Sequence, residues 1–188
     1  MDVFAVYFSG GMGAMSQYLL AHHGVKLDEL AGEEIDDAQA ELELDEREIV
    51  TVQPEGSNWC VMLGDISLCF DEEPEQHLSA ASKDGEVMMI FTQDVTGGAW
   101  FEYHKDAQLR RKWVEIESEV EANVGEPLND FDAEHFTDEI DEEEGPPDTW
   151  ELVELAEGIT GISWDSLSAP GTLYRLPSSP EPAPSLQP

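Results

Sequence analysis

Apolar residues open the chain as a continuous run and then recur at helical spacing. Residues 3–8, VFAVYF, are β-branched and aromatic and predict a buried strand. The stretch at 14–23, AMSQYLLAHH, predicts a short helix that Gly24 closes. In residues 25–48 the apolar positions follow a roughly helical spacing, and the stretch from Asp28 to Glu48 contains eleven acids, which predicts one or two short helices with a charged outer face. These apolar positions are Leu27, Leu30, Ile35, Ala38 and Leu42.

From Ile49 onward the apolar residues recur at every second position, which predicts strands. EIVTVQ (48–53) and NWCVML (58–63) flank a turn at Glu55-Gly56 and predict a hairpin. A short helix is expected within 71–85, and a meander of three strands is expected at 86–95, 97–104 and 108–120. In the last of these strands Val114, Ile116 and Val120 are expected on one face. Glu115, Glu117 and Glu119 are then expected on the other face, which is either solvated or a binding face.

The C-terminal third combines an acidic segment, a helix and a Pro-rich end. Residues 125–147 are expected to form an acidic linker that Phe131 and Phe136 anchor. DTWELVELAEGITG (148–161) predicts an amphipathic helix with a capping box formed by Asp148 and Glu151. Residues 169–188 are Pro- and Ser-rich and are expected to be a disordered tail. The chain is therefore expected to be one α+β domain over 1–168, with short helices packed on a mostly antiparallel sheet.

Charge is the property that most restricts the function. The 188 residues include 43 acidic and eight basic side chains, for a net charge of −35. Such a chain is not expected to bind nucleic acid directly or to bind anionic membranes, because both need Lys and Arg. Seven Phe, five Trp and four Tyr supply a core, so general disorder is not expected. The acids occur in blocks, and residues 131–147 alone hold eight carboxylates.

The start of the chain carries no export signal, and we expect a cytoplasmic protein with reduced thiols. Cys60 and Cys69 are compatible with buried thiols or with a short-loop disulfide, and their spacing does not decide between them.

No motif predicts catalysis, a cofactor or a metal. SGGMG at 9–13 follows a strand, but Ser16 stands where a dinucleotide fingerprint needs its third glycine, so a plain turn is expected. His22 and His23 are adjacent and lack metal-binding spacing, so an interaction with the helix dipole is expected. The acids at 138–144 lack the glycine hinge of a calcium loop. No serine or cysteine nucleophile stands in a recognisable motif with a base. The basic run 110–112 is expected to pair with acids across the sheet.

Three explanations of the acid blocks remain: a solvated face without a partner, a nucleic-acid mimic, or an inhibitor of a cationic toxin. An acidic adaptor without inhibitory role is a further alternative. Rows of carboxylates steer a cationic protein into contact, and outward-facing tryptophans among them would act as hot spots. The residues predicted to bind a partner are Glu33, Glu34, Asp36, Asp37, Glu43, Asp45, Trp59, Trp100, Trp113, Glu115, Glu117, Asp138, Glu139, Asp141 and Glu142.

Two stretches carry a resemblance in their overall pattern. GGAWFEYHKDAQLRRKWVEIESEVEANVGEPL (97–128) and DTWELVELAEGITGISWDSL (148–167) resemble small acidic bacterial immunity proteins of polymorphic or type VI-delivered toxin systems. The resemblance implies a non-catalytic cytoplasmic protein that binds one cognate cationic toxin in a one-to-one complex. It implies a role in bacterial competition, and it assigns no functional residue.

Overall fold

The protein folds around a single antiparallel sheet. The computed structural model describes residues 3–38, 44, 45, 47–65, 74–93, 97–140 and 145–177. Within these ranges the strands lie side by side in the order β2-β9-β3-β4-β1-β5-β6-β7-β8. In chain order they are β1 (Val3–Phe8), β2 (Gly32–Ile35), β3 (Glu48–Val52), β4 (Cys60–Gly64), β5 (Glu86–Gln93), β6 (Gly98–Lys105), β7 (Gln108–Ile116), β8 (Glu119–Val124) and β9 (Gly171–Arg175).

Helices cover both faces of the sheet, so the predicted α+β class is confirmed. They are α1 (Met12–His23), α2 (Pro74–Ala81), α3 (Asp130–His135) and α4 (Thr149–Thr160), with 3₁₀ turns at Leu27–Glu29 and Trp164–Leu167. The central strand β1 is buried on both sides, as its apolar run predicts. Ala5 belongs to the core under α4, while Val6 belongs to the core under α1 and α2. This alternation follows from the period of two along a strand.

Most of the predicted elements are confirmed. β3 and β4 pair in antiparallel register, and β5, β6 and β7 form the expected meander. α4 begins with the predicted capping box, in which the Asp148 side chain accepts from the backbone N–H of Glu151 and the Glu151 carboxylate accepts from that of Asp148. It ends at Gly161, which adopts the left-handed conformation with φ 71°.

The helical prediction for 25–48 is wrong from Gly32 to Ile35, and residues 39–43 and 46, which include the predicted Leu42, lie outside the described residues. Gly32–Ile35 forms the edge strand β2, which pairs with β9. Glu33 and Glu34 are exposed in this strand, so β2 can join the edge of the sheet without burying their charges. The spacing of Leu30, Ile35 and Ala38 fits both a helix and a bent extended chain, and the pairing with β9 decides between them.

Two boundaries also differ from the predictions. The predicted strand 108–120 is a hairpin, because Glu117 and Ser118 turn the chain at φ 54° and 63° and separate β7 from β8. Gly171–Arg175 was expected in the tail but inserts as β9 between β2 and β3. Residues 178–188 of that tail lie outside the described residues.

The predicted acidic linker 125–147 contains α3, which a buried ion pair holds on the sheet. Arg111 on β7 is 1 % exposed, and its Nε donates to both carboxylate oxygens of Asp132 at 3.1 and 3.0 Å. Its Nη2 donates to Asp132 Oδ1 at 2.8 Å and to the carbonyl of Phe136 at 2.9 Å. Asp132 Oδ2 also accepts from the backbone N–H of Leu128 at 2.8 Å. Phe136 is buried, as predicted for an anchor, and packs edge-on against Trp113.

We expect Asp132→Ala to lower the free energy of unfolding by about 3–5 kcal/mol, because it leaves a buried guanidinium without its partner. Replacing both partners, as in R111M/D132L, should cost less than the single change, since no buried charge then remains. Urea denaturation measures both effects. Arg110→Met on the exposed neighbour is the control and should change stability by less than about 0.5 kcal/mol. Equal losses for Asp132→Ala and Arg110→Met would contradict this role.

Candidate functional site

The exposed acids predicted to bind a partner lie far apart. Glu33, Glu34, Asp36 and Asp37 lie on or just after β2 at one edge of the sheet, and Glu117 lies in the β7–β8 turn at the opposite edge. Eight strand spacings of about 4.8 Å separate these edges by about 38 Å. Charges on exposed surfaces are screened within about 8–10 Å at physiological salt. The two edges therefore form separate contact surfaces, although both contribute to the field at low salt.

Two of the predicted partner-binding residues are buried, so their assignment is wrong. Trp113 is fully buried, and its Nε1 donates to the carbonyl of Thr137 at 3.0 Å. Glu115 is 1 % exposed and accepts from the backbone N–H of Ser118 in the β7–β8 turn. The residue that is exposed instead is Ile116, at 48 %. The register shift between Val114 and Glu115 explains this reversal of faces, because a bulge breaks the alternation.

The remaining predicted acids divide into two groups. Asp45, Asp138 and Glu139 are exposed. Glu43, Asp141 and Glu142 lie outside the described residues.

The predicted anchor Trp100 contacts a cation of its own chain. Lys112 Nζ lies 4.9 Å from the centroid of the Trp100 ring and 2.7 Å from Glu102 Oε1. Trp100 Nε1 also donates to Glu102 Oε1 at 3.1 Å. Glu102 faces Lys112 directly across the β6–β7 pair, which confirms the predicted cross-strand pairing of the basic run at this position.

Glu102 also ends a hydrogen-bonded chain that resembles a catalytic relay. Its Oε2 lies 2.9 Å from His104 Nε2, and His104 Nδ1 lies 3.0 Å from the Ser79 hydroxyl on α2. Glu102 and His104 are both fully buried. Because His104 and Glu102 are 0 % exposed, only the Ser79 end of this chain of hydrogen bonds, which is partly buried, approaches the surface. The arrangement therefore ties α2 to β6 and satisfies buried polar groups.

The other residues considered for chemistry have structural surroundings. His22 and His23 lie at the C-terminal end of α1, as predicted, and His22 stacks on Tyr18 at 5.4 Å. Cys60 is a free buried thiol, and burial raises its pKa to about 12, so it is a poor nucleophile. Within the described ranges no cluster of His, Cys, Asp or Glu has the arrangement of a metal site. A helix that crosses a bilayer needs about 20 apolar residues, and no described helix qualifies.

An exposed aromatic groove lies beside α4, and the sequence did not predict it. We call it the α4 groove; its volume is about 500 Å³. Its aromatic walls are Trp150, which is 58 % exposed, and Trp164, which is 6 % exposed. Three exposed carboxylates line it as well, those of Glu154, Glu157 and Asp165. Val153, Gly158 and Ser163 complete the lining.

A second groove adjoins the first. Trp59, one of the predicted anchors, is partly buried and lines a groove of about 520 Å³ together with Glu55 and the loop after α4. Ser163 lines both grooves, so the two adjoin at this residue.

The acidic side chains of α4 stabilise the helix at its N-terminal end and destabilise it at its C-terminal end. Glu151 lies in the first turn, where the helix dipole stabilises an anion. Glu157 lies in the last turn, which contains no basic residue, so the dipole destabilises it there. Trp150, Glu154 and Glu157 stand at i, i+4 and i+7 and share one face of the helix. A local conflict of this kind is more common at functional sites than elsewhere.

The signal for Trp150 was present in the sequence. The buried stripe of the predicted helix contains Leu152, Leu155 and Ala156, and Trp150 does not continue its spacing. A large aromatic residue outside the stripe of an amphipathic helix faces solvent.

Comparison with protein-family models, with curated proteins and with solved structures gave no match.

Two buried glutamates should respond to pH with opposite signs. Burial raises the pKa of Glu102, but the hydrogen bonds from His104 and Lys112 outweigh it and leave that pKa below its ordinary value. Ionised Glu102 therefore stabilises the fold above the ordinary pKa of about 4.3, and this stability is lost as pH falls through the lowered pKa. We expect Glu102→Gln to lower the melting temperature at pH 7 and to do so less near pH 4.

Burial raises the pKa of Glu115, which the hydrogen bonds from the backbone of Ser118 and Ala99 only partly offset. The folded state then binds this proton more tightly than the unfolded state, so stability falls as pH rises from about 4.3 through the raised pKa. We expect Glu115→Gln to raise the melting temperature at pH 7 and the gain to shrink near pH 4. Thermal unfolding of both variants at the two pH values tests the pair, and equal signs at pH 7 would contradict it.

The two ends of α4 give a further prediction. Glu157→Gln removes an anion from the negative end of the helix dipole and should raise the melting temperature by about 1–4 °C. Glu151→Gln is the matched control and should lower it, because it removes an anion from the positive end. Differential scanning calorimetry at low salt measures both. A fall in the melting temperature for Glu157→Gln would contradict this account of α4.

Proposed function

We propose that this protein binds a cationic protein and inhibits it without catalysis. The observation that supports this best is the imbalance of charge. Eight basic side chains can neutralise at most eight of 43 carboxylates. At least four of the eight are paired within the described part of the chain: Lys105 with Glu86, Arg111 with Asp132, Lys112 with Glu102 and Arg175 with Glu48. The exposed carboxylates must therefore be balanced from outside the chain.

The mechanism has two stages. The summed negative field raises the rate of encounter with a cationic protein to as much as ~10⁸–10⁹ M⁻¹s⁻¹ at low salt. Aromatic side chains at the surface then provide the desolvated contacts that slow dissociation. Trp150, which is exposed, and Trp59, which is partly buried, supply such side chains. Glu154 and Asp165 line the same groove as Trp150.

The partner that fits this chemistry best is a bacterial toxin domain with a positive active-site cleft. Enzymes that act on nucleic acid or nucleotides have such clefts, because their substrates carry phosphates. The pattern-level resemblance to immunity proteins of polymorphic or type VI-delivered toxins supports the same proposal. In it, the protein acts in the cytoplasm and occludes the cleft of one cognate toxin.

An inhibitor of this kind must act in a fixed ratio to its target. The buried relay of Ser79, His104 and Glu102 gives a substrate no access to its histidine, which favours binding over turnover.

Co-expression with the product of the adjacent open reading frame tests the proposal. We expect a one-to-one complex, rescue from toxicity only near equimolar amounts, and an association rate that falls by about tenfold or more from low to physiological salt. Rescue at catalytic amounts of this protein, or neither complex nor rescue, would overturn it. Capture of several unrelated DNA-binding proteins, with release by duplex DNA, would favour a nucleic-acid mimic instead.

A further inference from the structure

The groove beside α4 contains the groups that bind a cation elsewhere in this protein. On the sheet, Lys112 Nζ lies 4.9 Å from the centre of the Trp100 ring and 2.7 Å from Glu102 Oε1. The α4 groove offers the same two components, since aromatic faces from Trp150 and Trp164 stand beside carboxylates. A cation over the face of a tryptophan is attracted by the ring quadrupole, and more strongly where it is desolvated.

No segment of this chain can supply the missing cation. All eight Lys and Arg residues lie in the described ranges, and none of them lines the α4 groove. Residues 178–188 contain neither Lys nor Arg. A second copy of the chain would bring its own net charge of −35 against the same carboxylates. The groove is thus complementary to a cation from another molecule.

We propose that the α4 groove binds an arginine side chain of a partner protein. The guanidinium group stacks on Trp150, and its N–H groups donate to the carboxylates of Glu154, Glu157 or Asp165. Arginine fits better than lysine, because its planar fork stacks on aromatic rings and reaches more than one carboxylate at once. A volume of about 500 Å³ lies within the ~300–1,000 Å³ range of ligand sites.

The proposal also accounts for the conflict in α4. Glu157 opposes the helix dipole, and it lies one turn from Glu154, so the like charges repel each other. An arginine between them removes the repulsion on binding. The groove thus contributes more to the complex than to the free fold.

The first experiment uses the full chain and a short peptide, Ac-Gly-Arg-Gly-amide, with the citrulline peptide as its neutral counterpart. We expect the arginine peptide to shift the indole N–H signals of Trp150 and Trp164 saturably in NMR spectra. The buried Trp113 indole, which donates to Thr137, should not move. The citrulline peptide should bind at least about tenfold more weakly, because it lacks the charge. No saturable shift at Trp150 or Trp164, or equal shifts with both peptides, would overturn the proposal.

Matched variants then test whether the residues of the α4 groove bind the peptide. Trp150→Ala and the double variant E154Q/E157Q should each weaken arginine-peptide binding by about tenfold or more. E119Q/E121Q removes the same two charges from the exposed edge strand β8, which does not line the groove, and should leave binding within about twofold. An unchanged Trp113 signal shows that each variant is folded. Equal losses for the two double variants would mean that net charge alone binds the peptide, and the groove would be rejected.

The proposal that the bound arginine belongs to a partner protein rests on the proposed function, but different experimental results would reject each of the two proposals. If a cognate toxin binds the wild type and the Trp150→Ala variant equally well, the groove is not its docking site and the proposed function stands. If the toxin is not bound at all, the proposed function fails, and the peptide titration still decides whether the groove binds arginine.

Discussion

The buried contact between Arg111 and Asp132 is the interaction on which the acidic half of the molecule depends. The segment 128–137 is rich in carboxylates and would leave the sheet unless something held it there. A guanidinium that is 1 % exposed, donating to Asp132, to Asn123 and to the carbonyl of Phe136, holds it in place. Phe136 is then seated against Phe101 and Trp113, and α3 lies beside α4. The position of α3 on the sheet therefore depends on one of only eight basic residues, while α4 is held by its own buried face of Leu152, Leu155 and Ala156.

Much of the fold could be predicted because the responsible signals are local. The capping box of Asp148 and Glu151 needs four residues, and the turn at Glu55-Gly56 needs a glycine with positive φ, which is 77° here. The mostly apolar, β-branched and aromatic run of β5 is typical of a strand buried on both faces and needs no partner to be recognised. The run VFAVYF belongs to a strand that is buried on both faces, and its uniform apolarity expresses that burial.

The errors arose where distant partners decide the structure. Glu33 and Glu34 belong to a strand only because β9 pairs with β2, some 140 residues later in the chain. Trp113 and Glu115 were expected to face solvent. Phe136, at the end of α3, covers Trp113, and the bulge between Val114 and Glu115 turns the Glu115 side chain inward. The pairing of the basic run 110–112 with acids across the sheet could be predicted, because neighbouring strands bring such residues face to face, as they do Lys112 and Glu102. The partner of Arg111 could not, because Asp132 reaches it from a helix. Trp150 was not among the predicted site residues, because its only signal in the sequence is that it does not continue the spacing of the buried residues of α4.

The excess of acid has opposite effects on stability and on recognition. Inside the fold, cations are too few to pair with most carboxylates. Lys112 and Arg111 pair with Glu102 and Asp132, which are buried and would be costly to leave without an ionic partner. At the surface the same scarcity leaves Glu154, Glu157 and Asp165 beside exposed tryptophan without an ion pair from any described residue. Carboxylates that are not neutralised from within repel one another and lower the stability of the free protein. In the proposed complex the same carboxylates attract a cationic ligand, because a positive charge from another molecule relieves that repulsion. The scarcity of Lys and Arg in this chain is thus what would leave the carboxylates of the groove available to a guanidinium group.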